Sequence, residues 1–274
     1  MKKLFTSIRQ GKLDEVARIL DKKPELISCL AKAPPKKDDG QSPLMVAIKS
    51  DNPEVAHLLL DRGADVNFRD APSQPYNESA PIWYNAVGQC FLRARHTVGP
   101  GVEQTKKFFE LLCRLLDMGM DPNQKFTNDR ISLGAWQYAL NEYDYFANNT
   151  LGDPVKFPLT DQGNLQENHQ LQDMLKAVLD QLLAHGADIH DFEPPNEDGL
   201  PVTSVILRNV EEGRELFDSL YGLDPEKLKP FTVTYRGREH TVEPMSVEER
   251  LQQYEVKWRE LEPLLRSYYK KSFL

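Results

Sequence analysis

Two imidazoles, His185 and His190, bracket the turn Gly186-Ala187-Asp188. Two histidines beside a carboxylate are ligand types that a zinc ion accepts. The set is incomplete, because no cysteine and no second acidic cluster accompanies it, and a histidine at a helix C-terminus is accounted for by the negative pole of the helix dipole. Cys29, Cys90 and Cys113 lie far apart and form no C-x-x-C pair, so they specify neither a zinc site nor a disulfide framework. The carboxylates at Asp38-Asp39 and Glu211-Glu212 read as surface charge rather than as an acid/base pair. A nucleophile elbow, a phosphate-cradling G-x-x-x-x-G-K-[ST] loop, a G-x-G-x-x-G turn and an H-E-x-x-H helix are all missing from the chain. The sequence therefore nominates no catalytic residue, no metal and no cofactor.

The elements that would position a binding surface come next. At 274 residues and 40% hydrophobic, the chain can bury a sizeable core. Asp and Glu outnumber Lys and Arg by 42 to 34, and the resulting charge of −8 opposes a surface that tracks phosphates. It suits a protein partner with a basic face. No apolar run approaches the length of about 20 residues that crosses a bilayer, and Met1-Lys2-Lys3-Leu4-Phe5 leads into an amphipathic helix rather than a secretory apolar region. A cytoplasmic address with reduced thiols is the expectation.

One stretch carries a complete supersecondary unit. Ser42 stands where an N-cap accepts a backbone N–H, and Pro43 follows at the first helical position, where its missing donor costs nothing. Leu44 to Ser50 makes a short inner helix. Asn52-Pro53-Glu54 repeats the start signal for an outer helix, whose Val55, Leu58 and Leu59 form an apolar stripe. Gly63 occupies the position after that helix where a left-handed residue is wanted, and Asp65-Val66-Asn67 leads out into an extended finger.

On these residues the unit resembles the ankyrin repeat, whose pattern runs approximately D-G-x-T-P-L-H-x-A-A and then G-H-x-E-V-V-x-L-L-L-x-x-G-A-D-V-N. Ser42 stands for the threonine and Met45 for the histidine, so part of the hydrogen bonding those side chains make is lost. The resemblance implies an all-α solenoid, and four weaker units extend it. Leu4 to Leu20 covers the helices of a first. Pro81-Ile82-Trp83 opens a third, which closes at Gly119-Met120-Asp121-Pro122-Asn123. Leu133-Gly134-Ala135-Trp136 opens a fourth, which closes at Gly186-Ala187-Asp188-Ile189-His190, and Asp198-Gly199-Leu200-Pro201-Val202 opens a fifth. The array is expected over residues 1–223, with units near 1–37, 38–75, 76–126, 127–195 and 196–223.

Glycine spacing locates insertions. Gly63 and Gly119 are 56 residues apart, and Gly119 and Gly186 are 67 apart, against about 33 for an uninterrupted repeat. The extra residues fall near Gln89–Glu103 and Asn141–Glu167, and the second is read as a long inter-helix loop. After Leu223 the repeat signature stops. Phe231, Val233 and Tyr235 alternate with threonines before Arg236-Gly237-Arg238, a hairpin signal, and Ser246-Val247-Glu248-Glu249 opens a long amphipathic helix. Residues 224–274 are read as a cap on the last unit.

The resemblance implies that partners dock on a concave face lined by fingers and inner helices. The variable positions there are Asp39, Gln41, Lys49 and Ser50 in the best unit, Tyr76, Asn77 and Ser79 in the third, and Asn128 and Arg130 in the fourth. Trp83 falls in the histidine slot and Trp136 in an inner helix, and both are read as core. Tyr143, Tyr145 and Phe146 enter the second insertion, where aromatic side chains serve either as anchors for a partner or to fold the insert onto the stack. The expected function is a non-catalytic, monomeric binder of one dedicated protein. Its compact size resembles bacterial ankyrin-repeat proteins, some of which neutralise a toxin or effector as immunity proteins do. Two other readings stay open: an enzyme or accessory with chemistry in the insertions, and self-assembly through the C-terminal helix.

Overall fold

The computed structural model describes residues 1–70, 79–95, 101–128, 132–146, 162–189, 192–193, 231–235 and 238–242. The protein is mostly helical and divides into two compact units, one made of Met1–Tyr143 and Gln166–Glu193, the other of Asp144–Leu165 and Pro194–Leu274.

In the first unit the helices come in pairs: α1 (Lys2–Arg9) with α2 (Leu13–Lys22), α3 (Pro43–Lys49) with α4 (Pro53–Asp61), and α5 (Ile82–Arg95) with α6 (Gly101–Asp117). They are followed by α7 (Ala135–Phe146) and α8 (Gln162–Ala184). The inner helices α1, α3 and α5 pack in succession, and the outer helices α2, α4 and α6 do the same behind them. The core is thus a layer shared between neighbours. Ile8, Ile48 and Val87 of the inner helices and Leu20, Leu59 and Leu112 of the outer ones are all buried.

Local chemistry explains the ends of these helices. Ser42 Oγ accepts from Met45 N at 3.2 Å and caps α3, with Pro43 behind it. Asn52 does not cap α4. Its amide nitrogen instead donates to Ile8 O at 3.0 Å, Arg9 O at 3.4 Å and Ser50 O at 2.9 Å, so it ties the end of α1 to the turn between α3 and α4. Gly63, Gly119 and Gly186 end three outer helices at φ +80, +88 and +82. Around each, the paired backbone bonds of a helix stop recur, for example Gly63 N to Leu60 O and Ala64 N to Leu59 O, both at 3.0 Å.

Between helix pairs the chain runs out and back, and these fingers pair edge to edge. Arg69 bridges Pro81, and Ser79 bridges Thr127. Strand β1 (Phe126–Thr127) pairs antiparallel with β2 (Ser132–Leu133), which pairs with β3 (Phe192–Glu193). Two of these fingers are each fastened to the next by an asparagine. Asn67 Nδ2 donates to Gly119 O at 2.9 Å while its Oδ1 accepts from Asp121 N at 2.7 Å. One unit further on, Asn123 makes the same two bonds, at 2.9 Å to Gly186 O and 2.8 Å from Asp188 N.

In the first insertion, helix enters the span from both sides, α5 running to Arg95 and α6 starting at Gly101. Residues 89–95 and 101–103 bring α5 to 14 residues and α6 to 17, against 7 and 9 for α3 and α4. In the second insertion α7 continues to Phe146 and α8 begins at Gln162, so helix enters the span from both sides. In the second unit, β4 (Phe231–Tyr235) pairs antiparallel with β5 (Arg238–Val242), with Tyr235 opposite Arg238. The expected fifth repeat at 196–223 and the helix from Ser246 lie outside the described residues.

Candidate partner-binding face

The side on which inner helices meet fingers is assembled from α3, α5, α7 and strands β1 and β2. Several nominated residues build this face rather than project from it. Gln41 is buried, hydrogen bonds the Asp70 carboxylate and accepts from Lys49 Nζ at 3.4 Å. Lys49, exposed, also donates to Lys37 O at 2.7 Å. Asp39 is exposed and its Oδ1 accepts from Ala33 N at 2.9 Å, which closes its own finger. Ser50 is half-buried at the end of α3. Ser79 is buried: its Oγ donates to Asp70 O at 2.8 Å and accepts from Arg69 Nε at 2.6 Å. Asn128 is half-buried just after β1. Tyr76, Asn77 and Arg130 lie outside the described residues.

Tyr143 is 1% exposed, and its hydroxyl accepts from Gln172 Nε2 of α8 at 3.3 Å. It packs α7 against α8, while Tyr145 and Phe146 follow on the last turn of α7. Asp38, read from sequence as surface charge, is buried at 2% and pairs with Arg9 at 2.9 Å. Burying a carboxylate demands such a partner.

Sequence reasoning passed over three residues that shape the face. Tyr84 of α5 stacks on Phe126 of β1 with ring centroids 4.1 Å apart and planes 11° apart. Tyr138 of α7 lies 4.8 Å from Tyr84 and 5.8 Å from Trp83. Trp83 beneath them is fully buried, and its indole N–H reaches across to Gln124 O at 2.8 Å, so the residue in the histidine slot still donates to the neighbouring finger. Tyr84 and Tyr138 are half-buried. The position of Gly88 keeps this cluster together: a Cβ there would meet the Tyr138 hydroxyl at 3.1 Å. The third residue, Arg69, joins fingers by donating to Lys125 O and to Thr127 Oγ1, the latter at 2.9 Å. A signal existed for the tyrosines, since each sits one or two residues after a buried tryptophan on an inner helix; Arg69 has none.

Burial pushes the thiols of Cys29, Cys90 and Cys113 above their ordinary range, away from the thiolate a nucleophile needs. Burial also raises the Asp70 carboxyl, against the lowering effect of bonds from Ala80 N and Gln41. His185 Nε2 lies 3.1 Å from Asp117 Oδ1 and its Nδ1 lies 2.9 Å from Gln181 O, which places this imidazole in the seam between outer helices. Among the described residues, no cluster of three or more His, Cys, Asp or Glu is arranged to hold a metal ion, and no helix is long and apolar enough to cross a membrane. His190 lies outside the described residues.

Comparison with known proteins agrees with this geometry at one place. The family model for the ankyrin repeat matches residues 39–71. No curated protein sequence matches the chain. Among solved structures, one similar chain comes from the predatory endopeptidase Bd0816 of Bdellovibrio bacteriovorus in complex with immunity protein Bd3460. The match has 16% identity and a TM-score of 0.37, and covers 77% of this chain and 94% of that one. The unit that sequence, helix caps and finger geometry single out, residues 39–71, is the one that matches the ankyrin repeat.

Proposed function

We propose that this protein is a non-catalytic binding module that holds one dedicated protein partner on the face formed by its fingers and inner helices. The observation that carries this reading is the aromatic cluster of Tyr84, Tyr138 and Phe126 on that face. Half-buried tyrosines on rigid helices present large contact area at little entropic cost, which is what interface hot spots require. Inter-finger bonds from Asn67, Asn123 and Arg69 hold the cluster's surroundings in place before any partner arrives.

The architecture in this reading is an all-α solenoid of five units over residues 1–223, closed by the segment 224–274. The net charge of −8 suits a partner with a basic surface, which it would steer into contact. The mode we favour is neutralisation of a toxin or effector by occlusion, carried out in the cytoplasm by a monomer.

The test is affinity capture from native lysate with the unmodified protein and with a Tyr84→Ser, Tyr138→Ser double variant that retains cooperative melting. One stoichiometric protein held by the former and released by the latter is the expected result. A partner retained equally by both, or no stoichiometric partner at all, overturns the reading.

A further inference from the structure

The seam between α4 and α6 contains an arrangement that the binding reading leaves unused. His57 of α4 is half-buried with its Nδ1 3.1 Å from Arg114 NH1 of α6. Arg114 has no acceptor capacity and is always charged, so in this contact the guanidinium donates and the imidazole nitrogen accepts. Only a ring with a bare Nδ1 can do that. The same guanidinium donates to His57 O at 3.3 Å and to the Asp61 carboxylate, so it is the pin of the joint. We infer that the α4–α6 joint is acid-sensitive, with His57 as its proton acceptor: protonation converts the Nδ1 acceptor into a donor aimed at a cation and expels Arg114 from its seat.

The surrounding charges decide the direction. From α4 itself, Glu54 and Asp61 favour the imidazolium; from α6, Glu110 favours it and Arg114 opposes it. Glu54 is engaged by Lys107 at 2.9 Å and Asp61 by Arg114, so both carboxylates are already shared with a cation. On the far side of α4, α2 supplies Asp21, which is held by Arg62 at 2.5 Å. The lysine of α3, Lys49, is bonded to Lys37 O and Gln41. Burial is the largest influence and, with Arg114, holds the His57 pKa below its ordinary 6.5.

A base whose folded pKa lies below its unfolded one takes up protons more readily when unfolded. Its contribution to stability is therefore complete above about pH 6.5 and is lost as pH falls from there through the folded value. In the neighbouring seam a second imidazole, His185, lies 3.1 Å from Asp117, so a variant at position 57 is needed to isolate the effect.

The experiment follows the imidazole resonances of the full-length protein by NMR from pH 8 to 5, and the melting temperature at pH 7.5 and 5.5, for the unmodified chain, His57→Asn and Arg114→Met. Asparagine keeps an acceptor near the Nδ1 position and does not titrate. We expect a His57 midpoint below 6.5 that rises in Arg114→Met, and an acid-induced drop in melting temperature about 2 °C larger in the unmodified chain than in His57→Asn. A His57 midpoint at or above 6.5 in the unmodified chain, or equal acid-induced losses with and without the imidazole, overturns the inference. If His57→Asn fails to fold, the NMR midpoint decides alone.

Discussion

Helix pairs α3–α4 and α5–α6 close alike, one with Leu59-Leu60-Asp61-Arg62-Gly63 and the other with Leu115-Leu116-Asp117-Met118-Gly119, and both then turn through an Asp whose Oδ1 accepts at 2.9 Å from an Asn two residues on. Yet the second pair is nearly twice as long. Three bonds show where the extra length went. Gln104 reaches Asp51 at 2.8 Å, Lys107 reaches Glu54 at 2.9 Å and Arg114 reaches Asp61, each partner 53 residues away. From residue 104 onward α6 keeps step with α4, so the added residues lie upstream, at the end of the pair opposite the fingers. A repeat is thus defined by its finger-side ends, and length can be added at the far end without disturbing the finger side.

The largest test of that comparison concerns Phe91, which lies in the added part of α5 and is fully buried, like Phe108 of α6. If the added turns belong to the core, Phe91→Ala should cost about 3–5 kcal/mol in urea unfolding, as Phe108→Ala should. A cost under about 1 kcal/mol would make the extension an appendage. Next come the shared ends. Asn67→Ala and Asn123→Ala each remove two inter-finger bonds, and should each lose about 1–2 kcal/mol; a loss confined to one of them would show that the fingers are not equivalent. Gly63→Ala and Gly119→Ala place a Cβ on left-handed backbone with no neighbour within 4 Å, so strain acts alone and each should lose about 1–2 kcal/mol. The smallest effect belongs to Arg62→Ala, which removes the largely exposed pair with Asp21. It should change stability by at most about 1 kcal/mol, and less at high salt.

How far the sequence disclosed all this depended on the range of the interaction involved. Helix ends are written locally, so Ser42, Pro43 and Gly63 could be read directly, and the repeated D-x-N at 65–67 and 121–123 announced the finger turns. Asn52 misled because the same asparagine that caps a helix can serve a carbonyl 44 residues away. The Gly63 to Gly119 spacing located extra residues but not their conformation, since amphipathic helix and polar loop both tolerate the composition near Gln89–Glu103. On the finger side, Gln41 and Ser79 were chosen as variable finger positions, but a finger buries its side chains wherever it meets its neighbour, and that pairing is set by residues up to 65 apart. Tyr143 drew attention as an aromatic in an insertion, although α7 simply continues through it. Tyr84 and Tyr138 went unremarked because their meeting depends on how two inner helices flank one finger.

The repeat's own connectors also differ along the chain. Asp21 and Asp61 accept from Arg62 and Arg114 of the next unit, and Asp117 faces His185. At the end of α8 that position is Ala184, and the asparagine position that follows is His190. Both connectors are therefore lost from the sequence at the same unit.

The central claim, that a partner docks on the face of fingers and inner helices, is tested most directly by calorimetric affinities of the captured partner for Tyr84→Ser and for Lys106→Ala, the latter an exposed residue of outer helix α6. The account predicts a loss of about 30-fold or more for the tyrosine variant and an unchanged affinity for the lysine variant. The reverse pattern, with Tyr84→Ser still folded and binding normally, would contradict it.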